Sequence, residues 1–273
     1  MSCRKGIKMA DPTQNDTKKT GQNGNGGTPP ADYEVKEYMP GLMTLVIKFV
    51  EKTNVLFAKN GNPPIYDKKT FPWVAEVEKE WRKIRAELDK IMERREDLPS
   101  FHEIMPEVRT ITTDNLWKTF FLAGYGLESN ENSKRCPETT RILKKIPGMK
   151  TALYSILAPK KHIPAHRGPY NGVLRYHLGL IVPEPKEQCR IRIEDKVTHW
   201  DEGDSIIFDD TFEHEVWNDT NGFRAVLFVD FVRPVRFPFN MLNEFLINAA
   251  SFAPLIKEAE VRHKDWEKKF YKQ

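Results

Sequence analysis

An arginine inside an apolar strand constrains this chain more than any other feature. In Asn221-Gly-Phe-Arg-Ala-Val-Leu-Phe-Val-Asp-Phe231 the density of apolar side chains predicts a strand buried on both faces. A guanidinium there is desolvated. Leaving it unpaired in a core costs several kcal/mol, so Arg224 needs a carboxylate that accepts its planar fork. No acid of the strand faces it, because Asp230 lies at the far end. Either an intramolecular salt bridge supplies the partner, or a dicarboxylate ligand does, with one end on Arg224 and the other on a metal.

The metal half rests on His166 and His214. Neutral imidazole is the commonest side-chain metal ligand, and two imidazoles suit iron in oxygenases, where positions stay open for a cosubstrate and O2. His166 follows Pro164 at the start of a loop, and His214 sits in Asp209-Asp-Thr-Phe-Glu-His-Glu-Val-Trp217, ten residues before Arg224. Gly222 gives a turn signal between them, so His214 and Arg224 read as the two arms of one hairpin facing one cavity. Asp209, Asp210, Glu213 and Glu215 read as residues that turn this loop or orient the His214 ring. His162 and His199 lie in polar, turn-rich surroundings and read as exposed.

Between the histidines, Val173-Leu-Arg-Tyr-His-Leu-Gly-Leu-Ile181 alternates with a period of two, which puts Arg175 and His177 on one face. Lys150-Thr-Ala-Leu-Tyr-Ser-Ile-Leu-Ala158 alternates likewise and sets the Ser155 hydroxyl between Leu153 and Leu157. A hydroxyl, an imidazole and two guanidinium groups together suit a dianion. The plainer alternative for Arg175 and His177 is the solvated face of a one-sided antiparallel sheet.

Taken in order, these segments resemble the aspartyl/asparaginyl β-hydroxylase family of iron(II)- and 2-oxoglutarate-dependent oxygenases, which also includes lipid A acyl-chain hydroxylases. The likeness is carried by Pro164-Ala-His-Arg-Gly-Pro-Tyr-Asn171, Leu174-Arg-Tyr-His-Leu-Gly-Leu180, Ile207-Phe-Asp-Asp-Thr-Phe-Glu-His-Glu-Val-Trp-Asn218 and Phe223-Arg224. Phe71-Pro-Trp73, Trp117 and Cys136-Pro-Glu-Thr139 extend it, so it covers roughly residues 65 to 236. The resemblance implies an α+β fold built on a double-stranded β-helix, the jelly-roll of cupin-like proteins, with flanking α-helices. It implies that His166 and His214 bind Fe(II), that Ser155, Arg175, His177 and Arg224 hold the cosubstrate 2-oxoglutarate, and that Trp117 lines the same pocket. The expected reaction consumes O2 and hydroxylates an unactivated C–H bond.

Most such oxygenases carry an acid two residues after the first histidine; here that position is Gly168. The aspartyl/asparaginyl branch shares the gap, which favours the β-carbon of an aspartyl or asparaginyl group as substrate. Arg167, Pro169, Tyr170 and the Leu-Arg-Tyr-His sequence are closer to the lipid A branch, so an acyl chain is the alternative. Gly168 also admits an iron halogenase, with chloride in the acid's place, and a non-catalytic binding module is the remaining reading.

Elsewhere the chain is bland. Its 43 basic against 39 acidic side chains give +4, too weak a bias to argue for nucleic acid. Cys3, Cys136 and Cys189 have no metal-ligand spacing and fit a reducing compartment. Residues 1–32 read as a disordered tail, 33–110 as a helical flank, 111–236 as the oxygenase domain and 237–273 as C-terminal helices. Neither a signal peptide nor a membrane span is evident, so the expectation is a cytoplasmic protein with membrane contact at most peripheral. Gly41-Leu-Met-Thr-Leu-Val-Ile-Lys-Phe-Val50 reads as core packing in preference to a membrane-surface contact. Val77, Trp81, Ile84, Leu88 and Ile91 predict one long helix over 75–95, stopped by Pro99, whose apolar stripe braces the outer sheet. Helices are also expected over 240–250 and 255–271, with Pro254 between them and Trp266 and Phe270 as an internal packing pair. Sequence leaves the oligomeric state open.

Overall fold

Period-two alternation along the strands decides which way each sheet faces, and so where a site can lie. The computed structural model describes residues 41–124 and 127–272; the expected tail over 1–32 lies outside the described residues. Helix α1 (Gly41–Leu56) is followed by strand β1 (Ile65–Tyr66), helices α2 (Trp73–Lys79), α3 (Trp81–Met92) and α4 (Phe101–Ile104), and strands β2 (Trp117–Gly124) and β3 (Leu127–Glu128). Helices α5 (Asn130–Arg135) and α6 (Pro137–Leu143) lead to β4 (Met149–Leu157), β5 (Lys161–His166), β6 (Val173–Ile181), β7 (Cys189–Ile193), β8 (Lys196–His199), β9 (Ser205–Phe208), β10 (His214–Asn218) and β11 (Arg224–Val232). Helices α7 (Phe239–Ala250) and α8 (Pro254–Tyr271) follow.

The strands form a seven-stranded sheet in the order β1-β9-β6-β11-β4-β2-β3 and a four-stranded sheet in the order β5-β10-β7-β8. From β4 onward the chain passes repeatedly from one sheet to the other, which is the jelly-roll. The expected hairpin between His214 and Arg224 is therefore corrected. β10 pairs with β5 and β7, whereas β11 pairs with β4 and β6. The turn around Gly222 is real, tied by Asn218 and Thr220 donating to its carbonyl, but it carries the chain across from one sheet to the other.

The large sheet is covered on both faces. Leu174, Tyr176, Leu178, Leu227, Val229 and Phe231 face the helices and pack with Val77, Ile84, Leu88 and Ile91. Leu153, Leu157, Val226 and Phe228 face the small sheet and meet Ile163, Ile191 and Val216 there. Each such buried side chain is worth about 1.5–3 kcal/mol, and Leu88→Ala would cost about 2–5 kcal/mol. The stripe thus braces the sheet as expected, but the helix carrying it is broken at Glu80, whose φ of −101° and ψ of 8° leave the helical region. The Glu80 carboxylate is held by Arg141 and by Lys145 at 2.7 Å. Periodicity cannot register that tether. The last turn is also shorter than expected, ending at Met92 with a 3₁₀ turn over Arg95–Asp97.

α8 packs back on the domain: Trp266 and Phe270 lie 4.8 Å apart, and the Trp266 indole donates to Asp97 O at 3.0 Å. α1 does not behave as core. Val50 is buried, but Met43, Leu45, Val46 and Phe49 are exposed. α1 lies on the outside against α7, where Phe57 stacks on Phe239 at 4.1 Å. No described helix is long and apolar enough to cross a membrane.

Candidate active site

The space between the two sheets receives the side chains at alternate positions of β4, β6 and β11, and the chemistry-bearing residues lie among them. His166 ends β5 and His214 begins β10, and the two are cross-strand partners. Their ring centroids are 4.1 Å apart. The Nδ1 of His166 meets Pro164 O at 2.8 Å and that of His214 meets Phe212 O at 3.0 Å. A carbonyl only accepts, so Nδ1 carries the proton on each ring and Nε2 keeps its lone pair. Burial pushes His166 down to about 4 and His214 well below the usual imidazole range, and the Arg175 guanidinium adds to this at both rings. Both rings are neutral near pH 7, the form that binds metal.

Of the flanking acids, Asp209 turns the loop as expected by accepting from Thr211 N and Oγ1, and Asp210 meets the His214 ring through its backbone, but none of their carboxylates pairs with either ring. Glu213 and Glu215 pair with Arg192, Glu215 also takes His162 at 2.7 Å, and Asp209 pairs with Arg233. His162 is exposed as expected but stacked on Trp217, whereas His199 is half-buried. Asp210 turns to Gly168: a Cβ added at Gly168 would overlap the Asp210 carboxylate, and the Gly168 N–H donates to Asp210 O at 2.7 Å. The space that a side chain at Gly168 would need is thus already filled by a carboxylate from the loop between β9 and β10. Asp210 is held by Arg175 at 2.8 Å, its Oδ1 has no partner, and burial raises it to about 6 against the pull of that arginine. Among the described residues no three His, Cys, Asp or Glu side chains cluster as a metal site, so the histidines stand as a pair.

Arg224 is 1% exposed. Among the described residues no carboxylate pairs with it, and its Nε has no partner. The intramolecular salt bridge considered from sequence is therefore absent there. Its Nη1 lies 3.5 Å from both the carbonyl and the hydroxyl of Ser155, and its guanidinium rests 4.6 Å over Trp200. Burial pushes it down to about 10. The Trp117 indole donates to Ser155 Oγ at 3.0 Å. His177 is buried against Trp200, Phe208 and Phe228, with both ring nitrogens unpartnered. Burial and then the nearby Arg224 and Arg175 hold it well below the usual range, so it is neutral.

Ser155, His177, Arg224 and Trp117 thus share one interior region with orphaned polar atoms, which is what a missing polar ligand leaves behind. Arg175 lies near His177, over the Phe228 ring that His177 also meets, but differs in having carboxylate partners. It reaches Asp230 at 2.9 Å as well as Asp210, so its charge is compensated by the protein. Sequence reasoning missed both aspartates as its partners. Asp230 shares the inward face of β11 with Arg224, and register sets it opposite Arg175 on β6; alternation predicts the face, but nothing in the sequence gives that register. A surface hollow of about 600 Å3 lined by Glu76, Lys79, Glu80, Arg82, Lys83 and Lys145 lies on the helical layer and includes none of these residues.

Comparison with known proteins places the chain. Residues 78–234 match the aspartyl/asparaginyl beta-hydroxylase family. An ornithine lipid ester-linked acyl 2-hydroxylase of Rhizobium tropici is 55% identical over 226 residues, covering 83% of this chain and 80% of that protein. The human aspartyl/asparaginyl beta-hydroxylase is 37% identical over 166 residues, 59% of this chain but only 21% of the human protein. The chain belongs to the aspartyl/asparaginyl β-hydroxylase family.

Proposed function

We propose that the protein is an iron(II)- and 2-oxoglutarate-dependent hydroxylase acting on the acyl chain of a membrane lipid. The observation that carries the cosubstrate assignment is Arg224, a guanidinium 1% exposed with no carboxylate of the described residues to balance it. His166 and His214 would hold Fe(II) through Nε2, since each Nδ1 is committed to a backbone carbonyl. Bound iron would supply dioxygen activation, with 2-oxoglutarate as the reductant that is decarboxylated to succinate.

The chain's own residues do the rest. Arg224 would take the distal carboxylate in a bidentate pair. Ser155 Oγ already accepts from Trp117 and faces Arg224, so its own proton is free for the ligand. Neutral His177 adds an N–H donor without adding charge. We assign Arg175, already balanced by two aspartates, to holding Asp210 beside Gly168. Leu153, Leu157, Val216, Val226 and Phe228 make the surrounding space apolar, which strengthens every polar contact within it.

The choice of an acyl chain over an aspartyl or asparaginyl β-carbon is supported by the relative that acts on ornithine lipid, more similar and matched over more of this chain than the human protein. Gly168 is the feature that still favours the β-carbon reading. Purified protein with Fe(II), ascorbate and 2-oxoglutarate, offered an ornithine lipid or an aspartyl peptide in air, decides it. Succinate release stimulated by the lipid, with one oxygen added to its acyl chain, is expected. Stimulation by the peptide alone would overturn the acyl-chain assignment, and no succinate under any condition would overturn the enzyme.

A further inference from the structure

A helix of a water-soluble domain ordinarily hides its apolar stripe, and the α1–α7 pair hides only half of its own. On α1 the inward side buries Val50, Thr53 and Asn54, yet Leu45, Phe49 and Leu56, set four and seven residues apart, are 66%, 57% and 64% exposed. On the segment leading into α7 and on α7 itself, Phe237, Met241 and Phe245 recur every four residues and are 77%, 61% and 68% exposed. Apolar surface gathered like this on neighbouring helices marks an interaction site.

Charge identifies the occupant. Lys48, Lys52, Lys59 and Arg236 are exposed on these elements, and none forms an ion pair among the described residues. Against them stand exposed Glu244 and half-buried Glu51. The segment just past α1 and the entry to α7 are clamped together, with Lys59 N donating to Pro234 O and Arg236 N to Phe57 O, each at 2.9 Å. That clamp brings the backbone of Lys59 alongside the segment that carries Arg236 and Phe237. Aromatic and aliphatic side chains flanked by basic ones form the pattern of helices that lie in the interface of an anionic bilayer. A second copy of this chain would bring four like charges against four, which disfavours self-association through this face.

The face is also coupled to the site. The Asn54 amide donates to Tyr170 Oη at 3.3 Å, Asn171 Oδ1 at 3.1 Å and Asn243 Oδ1 at 3.2 Å, and Asn243 donates to Gly172 O at 2.9 Å. Tyr170, Asn171 and Gly172 belong to the loop that follows His166. Both helices are thus fastened to the segment between the first histidine and β6. We propose that the α1–α7 face docks onto an anionic lipid bilayer and so holds that loop, which packs on the inward side of both helices, close to the membrane from which a lipid acyl chain reaches the histidines. The docking face stands on exposure and charge; the delivery of a chain rests on the acyl-chain reading above.

Flotation of the full-length protein with phosphatidylcholine vesicles, with and without phosphatidylglycerol, tests it against a Phe49→Glu, Phe245→Glu double variant and a Lys48→Glu, Lys52→Glu double variant. Wild type should float with the phosphatidylglycerol vesicles in a salt-sensitive manner, and both variants should bind at least tenfold more weakly with unchanged thermal melts. The apolar variant should keep wild-type succinate release on a soluble short-chain analogue while losing it on vesicle-borne lipid. Wild type that ignores vesicles, variants that bind as wild type, or a dimer in light scattering that Phe49→Glu, Phe245→Glu splits would each overturn docking. Vesicle binding without turnover of any lipid would uphold the docking face and remove the substrate reading.

Discussion

Replacing Arg224 with Met separates a ligand-binding charge from a structural one, because the two roles predict opposite signs. In the free protein the guanidinium is buried without a carboxylate of the described residues, and burial moves it from an ordinary 12.5 down to about 10. At about 1.4 kcal/mol per pH unit, that is a penalty of roughly 3 kcal/mol carried by the charged form. Methionine fills a similar space with no charge, so Arg224→Met should stabilise the ligand-free protein; at about 2–4 °C per kcal/mol the melting temperature rises by roughly 6–12 °C. With 2-oxoglutarate bound the balance reverses. Removing one partner of a buried charge pair costs about 2–5 kcal/mol, which at about 1.4 kcal/mol per decade weakens binding by roughly 30- to 4,000-fold. Thermal melts without ligand, and calorimetric titration of 2-oxoglutarate into Mn(II)-loaded protein, read the two effects separately. A variant that melts below wild type and binds 2-oxoglutarate unchanged would refute the assignment and make Arg224 a structural residue.

Four further outcomes follow from the same geometry. His166→Ala and His214→Ala should each abolish succinate formation and weaken Fe(II) binding while leaving the circular-dichroism spectrum unchanged; turnover surviving in both would remove the metal pair. Gly168→Asp should lower stability in urea by about 1–3 kcal/mol, because its Cβ meets the Asp210 carboxylate; an unchanged midpoint would mean that this space is freer than it looks. Asp230→Ala should cost about 1–3 kcal/mol, because Arg175 loses one charged hydrogen-bond partner and keeps Asp210, visible as a lowered denaturation midpoint, whereas a neutral effect would show that Asp210 alone suffices. Product formed in chloride buffer should carry no chlorine isotope pattern in mass spectrometry; finding one would revive the halogenase reading of Gly168.

Much of the inward-facing set was legible because alternation in a strand is a strictly local property. Arg175 and His177 on β6, Ser155 on β4 and Arg224 on β11 are each set by parity alone, and all face between the sheets. What parity cannot give is register and sheet membership. Parity alone therefore reads Arg175 as a ligand-binding group, whereas register brings Asp230 opposite it, and it reads His214 and Arg224 as one hairpin, whereas they belong to different sheets. The partners of Glu80 at the helix break, Arg141 and Lys145, likewise lie more than sixty residues away. For α1, an apolar run of the right length looked like core; whether such a helix is covered depends on what packs outside it, and periodicity is silent on that.

The central claim is that two imidazoles and one uncompensated guanidinium serve a single metal and a single dicarboxylate. Anaerobic titration of 2-oxoglutarate into Fe(II)-loaded protein tests it most directly, through the visible charge-transfer absorption that a metal-chelated 2-oxo acid gives. Saturable absorption in wild type, lost in His214→Ala and shifted to far higher 2-oxoglutarate in Arg224→Met, is the predicted result. Folded wild-type protein that binds Fe(II) but shows no such absorption, or an Arg224→Met curve that overlays wild type, would contradict it.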